Sequence, residues 1–241
     1  MLEFSCTGAG PEKIAVPGKP GDESAGAGEP GDGVTASDQA VPIMVLGEAE
    51  KTDPILEAYR DAASRDRVVD FFRNLTGSRE LSAVVLANAD SFDIAPALAF
   101  ALCWEESRYD SKAVNRRNRN LTVDRGLFQL NNASFPGLAE QDFFNPSINA
   151  WYGLSHLRWC LDNAGTEVAG LAMYNAGTGR VRSGGTPKNT LDYISRILRR
   201  QRKIEELFLA ESISAIVEAE NSEPEKTAGI RLNLLAPLGK R

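Results

Sequence analysis

The run APALAFALCW, Ala95 to Trp104, is almost wholly apolar and ends abruptly in two carboxylates, Glu105 and Glu106. Pro96 suits a first helical turn and Asp93 is the expected N-cap. Nothing from Ala97 to Trp104 breaks a helix. At spacings of three and four, Ala95, Leu98, Ala99, Leu102 and Glu106 share one face, which should pack inward. Glu105 lies about 100° round the axis and is expected to face outward. Burial and the negative end of the helix dipole both disfavour the charged form of Glu106. An acid that keeps its proton near neutrality is what general acid catalysis needs. The competing reading is an ordinary solvated glutamate at a helix end.

The chain has 241 residues, 42% hydrophobic and 25% charged, enough for one sizeable core with ends to spare. No stretch is long and apolar enough to span a bilayer as a helix. Residues 1–50 hold nine Asp and Glu against two Lys, a net of −7, so the other 191 residues sum to +1 of the total −6. A nearly neutral remainder gives no support to nucleic-acid binding. Cys6, Cys103 and Cys160 lack metal-ligand spacing, and His156 is the single histidine. A zinc site, a Ser-His-Asp triad and a Cys-His pair are therefore disfavoured. Cys103 and Cys160 sit in apolar helical settings and read as buried thiols, with a disulfide between them left open.

Four parts are expected. Residues 1–50, rich in Gly, Pro and acids, read as a disordered linker. Residues 51–90 read as a helical extension packed on the domain, with one helix from Pro54 to Asn74, stopped at Thr76-Gly77, and a second opened by Ser78 and running through Ala89. Residues 91–200 form the main domain, and residues 201–241 a helix end and tail. The opening MLEFSCTG reads either as the end of a lipoprotein signal, with Cys6 lipidated as a membrane tether, or as a free thiol in a tail. Arg116, Arg117 and Arg119 lie in an expected loop, either solvated or in contact with an anionic polymer. Asn145-Pro146 opens a helix, Val168 to Tyr174 forms another, and Gly177 and Gly179 mark a loop. Thr190 to about Ile216 reads as a long amphipathic helix, and IRLNLLAPL as a short strand or interaction tail. At least six helices with little strand predict a mostly α, α+β domain of lysozyme-like form with a substrate cleft and a disordered N-terminal linker.

Four motifs then occur in order between about Ile94 and Leu198: Trp104-Glu105-Glu106-Ser107, Gly126-Leu127-Phe128-Gln129, Asn145-Pro146 through Gly153-Leu154, and Met173-Tyr174-Asn175-Ala176-Gly177, with Tyr193-Ile194 following. Together they resemble the soluble lytic transglycosylase (SLT) domain, glycoside hydrolase family 23, related to goose-type lysozyme. Phe128 replaces the family's Met. The resemblance implies cleavage of the β-1,4 bond between N-acetylmuramic acid and N-acetylglucosamine in peptidoglycan, a 1,6-anhydro product and no water as nucleophile. It implies Glu106 as general acid and base, with Ser107, Gln129, Tyr174, Asn175, Tyr193 and Asp124 binding or orienting the sugar. It also implies no cofactor and no metal, a monomer acting on glycan strands, and a periplasmic or cell-envelope location. The stretch from Asp124 to Asn131 also resembles that of hen-type lysozyme and invasion-associated transglycosylases, where the aspartate is a second carboxylate. Asp124 is thus open to two roles: a nucleophile or charge stabiliser in hydrolysis, or a supporting partner of Arg119 or Arg125. A silent glycan-binding domain is the alternative outside enzyme chemistry. Endo- or exo-cleavage and any recruiting machinery are not written in these motifs.

Overall fold

A computed structural model describes residues 52–118 and 120–222. The linker, Cys6, Arg119 and the IRLNLLAPL segment lie outside them.

Helix α1, Pro54–Arg60, is capped by Asp53, whose carboxylate accepts from Ile55 N and Leu56 N, both at 2.9 Å. The single helix expected from Pro54 to Asn74 is two. α1 stops at Asp61, and α2, Arg65–Thr76, starts after a turn. Asp61 accepts from Ser64 Oγ at 2.7 Å and Ala63 N at 3.3 Å, and Ser64 Oγ reaches Ala58 O at 2.7 Å. These short polar side chains offer the backbone an alternative to helix, which breaks the run. Gly77, at φ 77°, closes α2 in the left-handed conformation that glycine adopts without strain. Ser78 caps α3, Arg79–Ser91, through Leu81 N.

Helix α4, Pro96–Ser107, runs through the centre of the core. Its expected cap is corrected. Asp93 stands outside the helix at φ 47°, with its carboxylate accepting from Arg60, and Ala95 is the N-cap with no side-chain bond. Every residue from Pro96 to Cys103 is buried, so the helix is apolar all round rather than on one stripe. Phe72 of α2 stacks on Phe100, and Val85, Leu86 and Ala89 of α3 join the same core.

A small antiparallel sheet follows: β1 Val114–Asn115, β2 Asp124–Arg125 and β3 Leu130–Asn131, in that order. Its register sets Asn115 and Asn131 on either side of Asp124. A 3-10 turn, Glu140–Phe144, leads to α5, Pro146–Ala164, which Asn145 caps through Ser147 N and Ile148 N. α6 spans Glu167–Ala176. The loop expected at Gly177 and Gly179 is instead a short helix, α7, Thr178–Arg182. Gly177 takes φ 84°, ending α6 and opening α7 in one residue. α8, Lys188–Ser222, packs along α4 through Tyr193, Ile194, Ile197 and Ile204. Beyond that contact it carries exposed Leu209, Ile213 and Ile216. The architecture is the expected mostly helical, lysozyme-like one with a minor sheet. Cys103 and Cys160 are both buried free thiols, so no disulfide joins them.

Candidate active site

Glu106 occupies the last turn of α4 and is half-buried. Burial pushes its carboxyl up to about 8, and the like charges of Asp124 and Glu105 push the same way. One influence opposes them: the Tyr193 hydroxyl of α8 donates a hydrogen bond to Glu106 Oε1, which favours the carboxylate. Tyr193 is itself buried, and its hydroxyl is held well above the usual phenol range, first by burial and then by the charge of Glu106. It therefore remains a donor throughout the working pH range. A proton sits on Glu106 at neutral pH, and the phenol fixes the carboxyl's orientation.

Glu105 does not face solvent as the helical spacing suggested. Its side chain is 3% exposed and is bound by Arg196 of α8, Nε to Oε1 at 2.7 Å, with Arg108 Nη1 at 3.7 Å from Oε2. Because α4 is enclosed on all sides, a residue 100° round its axis still meets protein.

Asp124 is buried in β2. The expected pairing with Arg125 does not describe it, and Arg119 lies outside the described residues. Arg125 instead reaches Glu140 at 3.5 Å, and Asp124 accepts from three amides. Asn115 and Asn118 donate to Oδ2 at 3.0 and 2.9 Å, and Asn131 donates to Oδ1 at 2.7 Å. The sheet register brings two of these asparagines level with it; Asn118 comes from the loop after β1.

The turn between β2 and β3 requires Gly126 at φ 78°, and a Cβ there would stand 2.1 Å from Phe143 O. Gln129, at φ 46°, turns its amide back on this loop, donating to Gly126 O at 2.8 Å and Ala113 O at 3.2 Å. Tyr174 of α6 donates to Phe128 O at 3.0 Å. Asn175 accepts from Thr190 Oγ1 at 2.8 Å, tying the end of α6 to the start of α8. Ser107 is buried and bonds the carbonyl of Cys103 at 3.1 Å, one helical turn back. So Tyr193 and Asp124 both act on Glu106, and Tyr174 holds the Phe128 carbonyl. Gln129, Asn175 and Ser107 bond the backbone and the side chain that shape the walls of the site. His156 packs rather than reacts. It stacks on Trp159, lies 5.1 Å from the Tyr174 ring, and burial lowers its imidazole to about 4.

The sequence did not single out Asn149. Fully buried in α5, it accepts from Phe128 N at 2.8 Å and donates to Arg125 O at 3.0 Å and Phe143 O at 2.8 Å. It staples the sheet turn to the helix beneath. An amide in the middle of an apolar helical stripe was the available signal, since such a group must find partners.

A buried central helix ending in a proton-holding glutamate, flanked by a minor sheet with an amide-held aspartate, gives this domain its lysozyme-like form. Residues 83–195, a little under half of the chain, match the family model of the Transglycosylase SLT domain. At family level this match supports a function of the lytic-transglycosylase type, directed at peptidoglycan.

Proposed function

We propose that the protein is a lytic transglycosylase that cleaves the β-1,4 bond between N-acetylmuramic acid and N-acetylglucosamine and leaves a 1,6-anhydromuramic end. The observation that carries this is the raised proton affinity of Glu106 under the Tyr193 hydroxyl. Glu106 gives its proton to the glycosidic oxygen as the bond from C1 breaks. The sugar's own N-acetyl oxygen shields C1. The Glu106 carboxylate then takes the proton from the C6 hydroxyl, whose oxygen bonds to C1. The acid is regenerated and no water is consumed. One enzyme carboxylate suffices because the substrate supplies both nucleophiles. Tyr193 holds the donor in place, while Tyr174, Gln129 and Asn175 keep the loop and helix ends at the spacing the sugar needs.

Hydrolysis with Asp124 as nucleophile is the second reading, favoured by the aspartate's electrostatic action on Glu106. Against it, both Asp124 oxygens already accept amide hydrogen bonds, which an attack on C1 would have to break. The geometry favours Asp124 as a fixed negative charge beside developing positive charge. A silent binding domain has no need of an acid tuned this far. The proposed substrate puts the site of action in the cell envelope. Mass spectrometry of released muropeptides tests the reading: products one water lighter than the reducing sugar support it, and full reducing ends support the hydrolase.

A further inference from the structure

Three residues of α8, Tyr193, Arg196 and Arg200, share one helical face at spacings of three and four. They meet three consecutive residues at the end of α4 in reverse order. Tyr193 binds Glu106, Arg196 binds Glu105 at 2.7 Å, and the Arg200 guanidinium lies 4.2 Å from the Trp104 ring centroid. Arg108 covers Trp104 at 4.9 Å and also approaches Glu105. The middle rung is the demanding one. A carboxylate 3% exposed is placed one residue from an acid that must stay neutral. Left unpaired, it would destabilise the helix end and add an uncompensated negative charge beside Glu106.

We infer that Arg196 is a positioning residue for the reaction: through its ion pair with Glu105 it locks α8 against α4 in the register that sets the Tyr193 hydroxyl on the Glu106 carboxyl. This rests on Glu106 being the acid. The pair also sets the charge around Glu106. The groups acting on that carboxyl are Tyr193 from α8, which favours the carboxylate, and Asp124 from β2 and Glu105 from α4, which disfavour it. Arg196 is the cation hydrogen-bonded to Glu105, while Arg200 of α8 acts on the same carboxylate electrostatically and Arg108 lies 3.7 Å from it.

The test is the pH dependence of kcat and KM on solubilised glycan strands, using the full chain and the variants Glu105→Gln, Arg196→Gln and Arg196→Lys. Arg196→Gln is expected to lower kcat about tenfold with KM within about twofold, because the acid is misaligned rather than the strand released. Its alkaline limb moves up, since the charge of Glu105 is no longer offset. Glu105→Gln moves the limb down, since Arg196 is then the uncompensated charge. Arg196→Lys restores the limb and most of kcat. Opposite shifts are a signature that a merely structural pair would not give. Limbs that stay put or move together, or a kcat that only follows the folded fraction in a thermal melt, overturn the inference. Should Arg196→Gln not fold, Glu105→Gln and Arg196→Lys decide it by the same criteria. An active Glu106→Gln variant would instead remove the underlying assignment.

Discussion

The Tyr193 hydroxyl meets the Glu106 carboxyl across 87 residues of chain, one on the helix that enters the domain's centre and one on the helix that closes it. This bond works against every other influence on Glu106. Burial, Asp124 and Glu105 favour the neutral acid, while the phenol favours the carboxylate. The balance suits the proposed role, in which Glu106 gives up a proton and later takes one back.

Tyr193→Phe keeps the ring and deletes that donor. The proton affinity of Glu106 then rises beyond about 8, so the alkaline limb of kcat/KM moves to higher pH. At pH 6–7 kcat falls roughly tenfold, because the carboxyl loses its fixed orientation. A pH–rate profile of the variant checks both effects. A limb that moves downward would show that the phenol is not stabilising the carboxylate.

Glu106 also makes stability depend on pH. Its folded value, about 8, lies above the ordinary glutamate value of 4.5, so the folded state binds more protons than the unfolded one between these limits. Its contribution is fully present below pH 4.5, declines as pH rises through the window, and is lost above about 8. The loss is at most about 5 kcal/mol, less as solvent reaches the carboxyl. Glu106→Gln should therefore melt at a higher temperature than the wild type at pH 8.5, with the difference vanishing near pH 4. Melting curves at the two pH values measure this.

Asp124→Asn removes a negative charge that raises Glu106, so the alkaline limb shifts to lower pH. If Asp124 serves only as a fixed charge, the products keep their anhydro ends and turnover is slowed. A nucleophilic Asp124 predicts instead that turnover stops. Product mass and rate for this one variant separate the two roles.

Asn149→Leu leaves Phe128 N, Arg125 O and Phe143 O without their partner, a cost of at least about 2 kcal/mol. Gly153→Ala attacks the same junction sterically, since its Cβ would stand 2.4 Å from that of Phe128. Overpacking of this kind costs about 1–3 kcal/mol. Both variants should lower the denaturant midpoint, and both disturb the Phe128 carbonyl that Tyr174 binds.

The residues differ in how far the sequence reveals them. Glu106 is legible because an apolar helical face ending in a carboxylate is a local pattern. So are the Ser78 cap, Pro96 in the first turn of α4 and Asn145 before Pro146. The fate of Glu105 is not legible, because facing rules assume a solvent side that α4 lacks, and its partner Arg196 stands 91 residues away. The amide cage of Asp124 exists only once three strands have paired. The break at Asp61 contains neither glycine nor proline, and depends on side chains bonding their own turn.

Turnover of purified glycan strands by Glu106→Gln, followed from pH 5 to pH 8 with folding checked by circular dichroism, tests the central claim most directly. The account predicts a folded protein with no detectable release of muropeptides at any pH in that range. Release at a rate near that of the wild type would contradict it, and would move the proton donor away from the end of α4.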